Sequence, residues 1–352
     1  MSRVRLRFTK RAMTVSFIVP HRNRCDLLEP LLSSIGRQRT SFHGETEVIV
    51  VDNGSQDGSP RVAHELGANV ISLPRNEGVS RALNRGIQAA RGEYIVLLNN
   101  DVEISPDWLQ RLLADLDATQ AWFATGKLLN FSERRRIDGT GDAVCRGGTA
   151  WRLGHGKDDG PLFALPRDTY FPSATATLFR RSFFDKVGLY EEAFFAYLED
   201  VDLGFRAAIE DTPGRYVPEA VAYHCSGETT GRWSAQMVEW LTCHQLLLLA
   251  KFYPASLLAK FAWQIIVAQS LWAVLAFSRG RALGWLRGLG CGLRRFASLR
   301  RSSQSLRAHA SRLAGVLTST ESEIAHIQQQ TEWDTYWRWY FKLACHPMGA
   351  KT

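Results

Sequence analysis

Four side chains that can do acid–base or metal chemistry stand at the ends of predicted strands or helices. They are Asp101, which follows the uncharged run Tyr94–Leu98, the neighbours Glu199 and Asp200, and His224 at the end of an apolar run. A carboxylate can accept a proton or hold a divalent cation, and a histidine can do either. The residues alone leave ordinary readings open, since Asn99-Asn100-Asp101 also suits a turn and a lone histidine is more often structural.

The elements that must position these residues alternate between strand and helix. Strands are predicted at Val15–Val19, Glu47–Val51, Val70–Leu73 and Tyr94–Leu98, with helices between them, the first capped by Asp26 and the third spanning Gly78–Ala90. This order predicts a parallel sheet with helices on both faces. Each strand ends in polar residues, so the strand ends should form one polar crevice.

Neither familiar phosphate-binding loop follows the first strand. A dinucleotide fold would place G-x-G-x-x-G there, and a P-loop would end in Lys-Ser or Lys-Thr. This chain has Pro20-His21-Arg22-Asn23 instead. A diphosphate can also be held by a divalent cation on carboxylates, helped by arginine or asparagine side chains. Asp101, with Arg81 and Asn84 on the preceding predicted helix, suits that arrangement.

Four ordered motifs resemble the inverting family 2 glycosyltransferases of the GT-A fold. They are Phe17-Ile18-Val19-Pro20, Val50-Val51-Asp52-Asn53-Gly54-Ser55, the stretch from Asn76-Glu77-Gly78 to Asn84-Arg85-Gly86, and Leu97-Leu98-Asn99-Asn100-Asp101. The chain looks most like the rhamnosyltransferase-like branch that builds bacterial surface polysaccharides. The resemblance implies an α/β GT-A domain over residues 14–250, with a mostly parallel central sheet, and leaves 251–352 as a helical region.

The resemblance also implies a role for each candidate residue. The run Phe194–Arg206 resembles the family's Glu-Asp motif, which makes Asp200 the catalytic base and Glu199 its supporting neighbour. Asp101 and His224 would hold Mg²⁺ or Mn²⁺, of which imidazole suits Mn²⁺ better. The implied donor-binding residues are Pro20, Asp52, Asn76, Arg81, Asn84, Asn99 and Asn100.

Four residues in these motifs need a separate interpretation. Asp52 resembles the aspartate that accepts a hydrogen bond from a pyrimidine base, and it also suits an Asx-turn at the end of strand two. Asn99 stands where the commoner acid-x-acid pattern has its first carboxylate, so the cation should be held more loosely. Asp202 and Arg206, four residues apart, predict an ion pair on a helix surface.

Two stretches bear on the acceptor. Pro172–Thr177 resembles the segment that lines the family's acceptor site. Residues 132–168, which include Arg134 to Arg136, several glycines and Trp151, predict mobile loops. Long insertions of this kind often set specificity.

The basic charge lies in the C-terminal third. Of the chain's 43 basic and 35 acidic residues, residues 251–352 hold 14 and 4. Ala255–Phe277 is apolar but interrupted by Lys260, Gln264 and Gln269, so it is marginal as a membrane-spanning helix. Residues 278–320 carry nine arginines and no acid, interleaved with Trp285 and several leucines.

This pattern predicts that residues 255–312 lie on an anionic membrane surface. We favour a membrane over nucleic acid because the apolar stretch has no use in a nucleic-acid groove. A helical packing or oligomerisation arm is the third reading. The aromatic stretch Thr331–Leu343 fits either an interfacial belt or a docking helix.

The cysteines and the N-terminus indicate the compartment. The six cysteines form no CxxC pair and have no regular spacing, which argues against a disulfide framework or a zinc cage and favours a reducing compartment. No long apolar run follows the basic N-terminus, so no cleaved signal is expected. These features predict a cytoplasmic protein, peripheral on the inner face of the cell membrane.

The sequence therefore predicts a metal-dependent inverting transfer of a sugar from a nucleotide-diphosphate donor to a hydroxyl of a lipid-linked saccharide or glycan. Two rivals remain open. A sugar-phosphate nucleotidyltransferase would need a Gly-rich basic loop that is absent after strand one. A non-catalytic membrane scaffold would bind neither donor nor metal.

Overall fold

The computed structural model describes residues 13–225 and 233–344; the basic N-terminus and Cys345 lie outside these ranges. The strands are β1 Thr14–His21, β2 Glu45–Asp52, β3 Asn69–Ser72, β4 Tyr94–Leu98, β5 Val102–Ile104, β6 Phe123–Asn130, β7 Ile137–Gly139, β8 Asp142–Val144, β9 Ala150–Arg152, β10 Arg167–Thr169, β11 Ala176–Arg180 and β12 Gly214–His224. The helices are α1 Leu28–Arg37, α2 Ser59–Glu65, α3 Val79–Ala89, α4 Trp108–Thr119, α5 Arg181–Val187, α6 Glu199–Ile209, α7 Ala235–Phe252, α8 Ala255–Lys260, α9 Ala262–Ser278, α10 Ala282–Ser302, α11 Ala310–Gln330 and α12 Thr335–Ala344.

The central sheet has the order β10-β12-β6-β11-β4-β1-β2-β3. The block β3-β2-β1-β4 is parallel, as the strand–helix alternation predicts. Beyond β4 the sheet is mixed, because β11 runs antiparallel to both β4 and β6 while β12 is parallel to β6. The α/β prediction is confirmed, with fewer parallel pairs than expected.

Helices cover both faces of the sheet because alternate strand residues point to opposite sides. Phe17 and Val19 belong to a core with α1 and α4. Ile18, between them, packs with α3, α5 and α6. The prediction that Asp26 caps α1 is wrong. Asp26 lies in the 3₁₀ turn Cys25–Leu27, and its carboxylate accepts a hydrogen bond from Arg24 Nη2 at 2.9 Å.

The prediction of mobile loops over residues 132–168 is wrong. The segment contains β7, β8, β9 and the start of β10. Its turns pack on apolar side chains, with Ile137, Val144 and Leu153 buried. Asp138 and Thr140 are also fully buried, so this insertion forms part of the protein interior beside the sheet.

The C-terminal region is helical, as predicted, but its apolar run is divided. Ala255–Phe277 forms α8 and most of α9, which are separated at Phe261. No helix within the described parts of the chain has the length and apolar character needed to cross a membrane. The domain boundary expected at residue 250 falls inside α7, where Lys251 Nζ binds Asp202 Oδ1 of the catalytic half at 2.6 Å.

Helices α7 and α10 pack closely because glycines lie along their contact. Gly284, Gly288 and Gly292 recur every fourth residue on α10 and are buried. A Cβ on Gly284 or Gly288 would meet main-chain carbonyl oxygens of Ala235 and Glu239 on α7. This stripe turns one face of α10 inward and leaves the opposite face to solvent.

Several C-terminal arginines bind the protein rather than facing outward, which corrects part of the interfacial prediction. Arg300 Nη1 donates to Tyr253 O at 2.7 Å, just after α7 ends. Arg295 Nη2 donates to Ala193 O at 3.0 Å, and Arg312 Nη1 donates to Ile209 O, the last residue of α6, at 3.2 Å. Cations are favoured at helix C-termini by the free carbonyl groups there. Arg279, Arg287, Arg294 and Arg301 remain exposed.

Candidate active site

The ends of the parallel strands meet at one edge of the sheet, where the polar crevice was predicted. His21 at the end of β1 is paired in register with Asp52 at the end of β2. Asn100, just after β4, contacts His21, with its Nδ2 3.1 Å from Nδ1 of the ring. His21, Asp52 and Asn100 are all buried, and burial lowers the pKa of His21 despite the nearby carboxylates.

Asp101 and His224, which were predicted to share a cation, lie side by side. Asp101 Oδ1 is 3.2 Å from His224 Nε2. Antiparallel pairing of β5 with β12 places Val102 opposite His224, and Cys225 N donates to Asp101 O at 2.9 Å. Burial would lower the pKa of His224, but its hydrogen bonds to Asp101 and Asp138 outweigh burial and raise it.

Asp138 is a site residue that the sequence did not identify. Its Oδ2 lies 2.7 Å from His224 Nδ1 and accepts a hydrogen bond from Arg152 Nη1 at 2.9 Å. Arg152 also donates from Nη2 to Thr175 Oγ1, at 3.2 Å, in the predicted acceptor segment. A single carboxylate between an isoleucine and a glycine has no distinctive spacing, so no pattern in the sequence could have revealed it.

Glu199 and Asp200 open α6, as predicted. The approach to the helix is unusual, because Tyr197 and Leu198 both have positive φ, 66° and 67°. This region of backbone space is costly for residues other than glycine, and it is often found at functional sites. His244 on α7 helps to hold the turn, with its Nδ1 2.8 Å from Tyr197 O.

Three carboxyls lie together at this helix start, with Glu199 and Asp142 buried and Asp200 half-buried. Burial, and then the charge of Asp200, raise the pKa of Glu199 to about 8 and that of Asp142 well above its usual range. Burial also raises the pKa of Asp200, against Arg152 and the amides of Val201 and Ala174, which favour its charged form. A base whose pKa is raised toward the working pH takes a proton more readily.

Three predicted donor-binding residues shape the loops at the strand ends. Both carboxylate oxygens of Asp52 accept a hydrogen bond from Ser55 N at 3.3 Å, as the Asx-turn interpretation predicts. Asn76 Oδ1 accepts from Asn53 Nδ2 at 3.0 Å and from Gly78 N at 3.1 Å. Pro20 is half-buried next to His21 in β1. Both readings of Asp52 stay open, since an Asx-turn aspartate keeps free lone pairs.

Arg81 and Asn84 both lie on α3 and contact other protein groups in the structure. Asn84 is buried, and its amide is used to hold the backbone of Tyr190: Nδ2 donates to Tyr190 O and Oδ1 accepts from Tyr190 N, both at 2.9 Å. Arg81 is partly exposed and pairs with Glu77 at 2.9 Å. Asn84 therefore anchors the segment that leads into α6, while its role in donor binding stays a prediction.

Asn99 and the pair Asp202–Arg206 complete the predicted set. Asn99 N donates to Thr175 O at 2.9 Å, so it lies between β4 and the predicted acceptor segment. Asp202 binds Arg206 Nε at 2.9 Å, as expected, but the pair is not on the surface. Asp202 is fully buried and also contacts Lys251, which makes the pair a structural link from α6 to α7.

Asp101 and His224 have the chemistry and the spacing of two neighbouring ligands of one divalent cation. Ligands at about 2.1 Å in an octahedral shell lie about 3 Å from each other, close to the separation of these two atoms. Within residues 13–225 and 233–344, no group of three metal-ligating side chains converges. The remaining positions of such a shell would be filled by water or phosphate oxygens, as is common for Mg²⁺.

This mixed α/β sheet with helices on both faces is the GT-A fold of glycosyltransferases, and its candidate site consists of an aspartate–histidine pair at a strand end and a carboxylate pair at a helix start. The family model Glycosyl transferase family 2 matches residues 16–188. The chain belongs to the family 2 glycosyltransferases.

Known relatives and solved structures are consistent with this assignment. The chain is 33% identical over 217 residues to the N-acetylglucosaminyl-diphospho-decaprenol L-rhamnosyltransferase of Mycobacterium tuberculosis, a match that covers 53% of this chain and 68% of that protein. The fold of this chain is similar to that of the crystal structure of GalNAc-T7 with UDP, GalNAc and Mn²⁺. The TM-score is 0.58 and the identity 14%, and the match covers 75% of this chain and 52% of the other.

A second solved structure is similar over most of both chains. It is the mannosyltransferase PcManGT from Pyrobaculum calidifontis in complex with GDP-Man and Mn²⁺, with a TM-score of 0.51, 16% identity and coverage of 93% and 89%. At 14% and 16% sequence identity, these two structures support the fold assignment only.

Proposed function

We propose that this protein transfers a sugar, with inversion and with the help of a divalent cation, from a nucleotide-diphosphate donor to a hydroxyl of a lipid-linked saccharide or glycan at the inner face of the cell membrane. The observation that carries the proposal is the 3.2 Å approach of Asp101 Oδ1 to His224 Nε2 at the strand end. It supports a two-ligand cation site at the place where an open α/β sheet binds its ligand.

Each residue has a defined task in this reaction. Asp101 and His224 would hold the cation, Mn²⁺ or Mg²⁺, which would supply positive charge to offset that of a departing diphosphate. The acceptor oxygen bonds to the anomeric carbon as the bond from that carbon to the diphosphate oxygen breaks on the opposite face. Asp200 accepts the hydroxyl proton. Glu199, whose pKa is raised to about 8, is neutral at pH 7 and adds no second charge beside the base.

The donor and acceptor follow from the relatives. The mycobacterial relative is named for an L-rhamnosyl transfer to a sugar on a diphospho-decaprenol, so a lipid-linked diphosphate saccharide is the acceptor class we propose here, with rhamnose as the sugar. Asp52, at the end of β2, is the proposed partner of the donor's base. Asn99 and Asn100 lie where the donor would cross from β4 to the cation pair.

A surface on α9 and α10 supports the membrane location. We call it the apolar face: Trp263, Ile266, Val274, Phe277, Leu283, Leu286 and Leu293, each at least half exposed. On α9 these side chains follow helical spacing and form one stripe, and the ring of Phe277 contacts Trp285 at the start of α10. Exposed Arg287, Arg294 and Arg301 share the outer side of α10, and no acid occurs from 255 to 320. Apolar side chains among arginines fit an anionic lipid interface.

A thermal-shift screen followed by product analysis tests the proposed reaction. The protein is incubated with Mn²⁺ and, side by side, dTDP-rhamnose, UDP-sugars and GDP-sugars, and we expect one nucleotide class to raise the melting temperature. With that donor and a polyprenyl-diphosphate saccharide, the expected products are the extended saccharide and a nucleoside diphosphate. Release of pyrophosphate would instead identify a nucleotidyltransferase, and no response to any donor or metal would identify a scaffold.

A further inference from the structure

Asp138 joins the two halves of the candidate site. It is fully buried, and its Oδ2 contacts both His224 Nδ1, at 2.7 Å, and Arg152 Nη1, at 2.9 Å. On the far side of the imidazole, Nε2 faces Asp101. The histidine is thus flanked by a carboxylate on each nitrogen, and the two carboxylates come from different parts of the chain.

The two ring nitrogens must differ if His224 binds a cation. A ligating histidine bonds the metal through the lone pair of one nitrogen and carries its proton on the other. Because Asp138 lies at hydrogen-bond distance from Nδ1, it accepts a hydrogen bond from the Nδ1 proton. When a cation replaces the proton on Nε2, the lone pair of that nitrogen is then directed to the cation that Asp101 Oδ1 would share. A carboxylate partner also makes the imidazole a stronger ligand and restricts its rotation.

We propose that Asp138 is a positioning residue of the metal centre, which acts by fixing the tautomer and the orientation of His224. This inference rests on the proposed metal-assisted function. It extends that function to a residue that lies in neither the Glu-Asp motif nor the motif at the end of strand four. Asp138 touches neither donor nor acceptor in this role, and its effect on the reaction passes through the imidazole.

The same carboxylate also orders the base side of the site. Arg152, held by Asp138 and Thr175, is the cation that favours the charged form of Asp200. A shift of Asp138 would therefore move both the imidazole and the guanidinium. The insertion that carries β7 and β9 thus supplies an internal support that aligns the cation pair with the catalytic base.

A purely structural role is the competing explanation, since Asp138 could serve only as the counterion of Arg152. The two roles differ in what a second substitution does. If Asp138 acts through His224, removing its charge should have no further effect on metal binding once the imidazole is gone. If it acts only on stability, its effect on metal binding should be small and independent of His224.

The test is a double-mutant cycle read by metal binding rather than by turnover. Mn²⁺ is titrated, alone and with UDP, GDP or dTDP, into wild type, Asp138→Asn, His224→Gln and the double variant, and free Mn²⁺ is followed by electron paramagnetic resonance. Asp138→Asn keeps the shape of the side chain, and melting temperatures verify folding. We expect Asp138→Asn to weaken Mn²⁺ binding about 10- to 100-fold and the double variant to match His224→Gln.

A matched control comes from the same insertion. Asp159 binds Lys127 Nζ at 2.8 Å, so Asp159→Asn also removes a paired carboxylate but lies outside the proposed centre, and it should leave Mn²⁺ binding unchanged. Wild-type affinity in Asp138→Asn, or a further loss in the double variant, would overturn the positioning role while leaving the metal-assisted function intact. Failure of the wild type to bind Mn²⁺ with any nucleotide would overturn both.

Discussion

The two carboxylates that open α6 have different surroundings, and these divide their tasks. Glu199 is buried beside a like charge, and its Oε2 has no hydrogen-bond partner among the described residues, so its pKa is raised to about 8. Asp200 accepts a hydrogen bond from Val201 N at 2.9 Å and has Arg152 as a nearby cation. Of the two carboxyls, Asp200 therefore has more neighbouring groups that favour its charged form, which suits it to take a proton from the acceptor hydroxyl.

Replacing the base should stop the chemistry without stopping donor binding. We expect Asp200→Asn to lower kcat by about 10²- to 10⁴-fold, the usual contribution of a general base, while the donor's dissociation constant measured by calorimetry stays near that of wild type. Glu210→Gln, an exposed acid at the other end of the same helix, is the control and should keep full activity. Near-normal turnover by Asp200→Asn would remove Asp200 from the base role.

Glu199 should make the protein less stable as the pH rises. Its carboxyl has an ordinary pKa of 4.5 and a folded-state pKa of about 8, so the folded state binds an extra proton between these values. Folding stability contributed by this group is then present below about pH 4.5 and is lost as the pH rises toward 8. In melting curves from pH 5 to pH 8.5, Glu199→Gln should lose less stability than wild type. Parallel curves for the two proteins would contradict the raised pKa.

The sequence was informative for residues that a regular element places. Asp101 follows a buried strand, Asp200 opens an amphipathic helix and His224 ends a strand, so order along the chain was enough to bring them into one hypothesis. Asp138 and Arg152 lie on three-residue strands whose pairing is set by tertiary contacts, and no periodicity marks them. Helical spacing places Asn84 beside Arg81 on α3, but it does not show that the buried amide of Asn84 binds the backbone of Tyr190.

At the scale of elements, α7 connects the C-terminal region to the catalytic half. Trp240 on α7 packs its ring against Phe195 and Tyr197 in the turn that leads to α6, with centroids 5.2 and 6.2 Å apart. At the other end of α7, Lys251 binds Asp202 of α6, and Arg300 of α10 donates to Tyr253 O. The helix pattern predicted that these elements exist, but the buried polar contacts that join the two halves depend on long-range packing that local sequence does not encode.

Close packing of α7 on α10 should depend on the glycine stripe. Gly288→Ala would place a methyl group against Glu239 O, so we expect a loss of about 1–3 kcal/mol in the free energy of unfolding. Gly290→Ala is the matched control on the same helix, where a Cβ would meet only the flexible end of Arg294. There, better helix propensity should add about 0.5–1 kcal/mol. Urea denaturation measures both, and equal effects would show that the stripe does not set the helix separation.

For the molecule as a whole, the charge asymmetry and the apolar face belong to one region, while the candidate site belongs to the other. Arg295 donates to Ala193 O, so α10 is fixed directly to the segment that precedes Glu199 and Asp200. A protein held on a membrane by α9 and α10 would thus keep its base at a fixed height above the lipid surface. Deleting residues 251–352 is a poor test of this idea, because it removes Lys251 from buried Asp202.

Surface substitutions provide the cleaner test of membrane binding. Trp263→Ser, Ile266→Ser and Phe277→Ser together should reduce pelleting with phosphatidylcholine–phosphatidylglycerol vesicles by more than about tenfold, since each buried apolar side chain contributes about 1.5–3 kcal/mol. Arg287→Gln, Arg294→Gln and Arg301→Gln should weaken binding to these vesicles by about 1 kcal/mol per arginine, and less at high salt. Two control variants replace exposed residues elsewhere on the protein, Leu66→Ser with Leu165→Ser and Arg61→Gln with Arg91→Gln, and both should leave binding intact. If the apolar-face variant sediments as wild type does, α9 is not the contact, and the protein meets its acceptor through another surface.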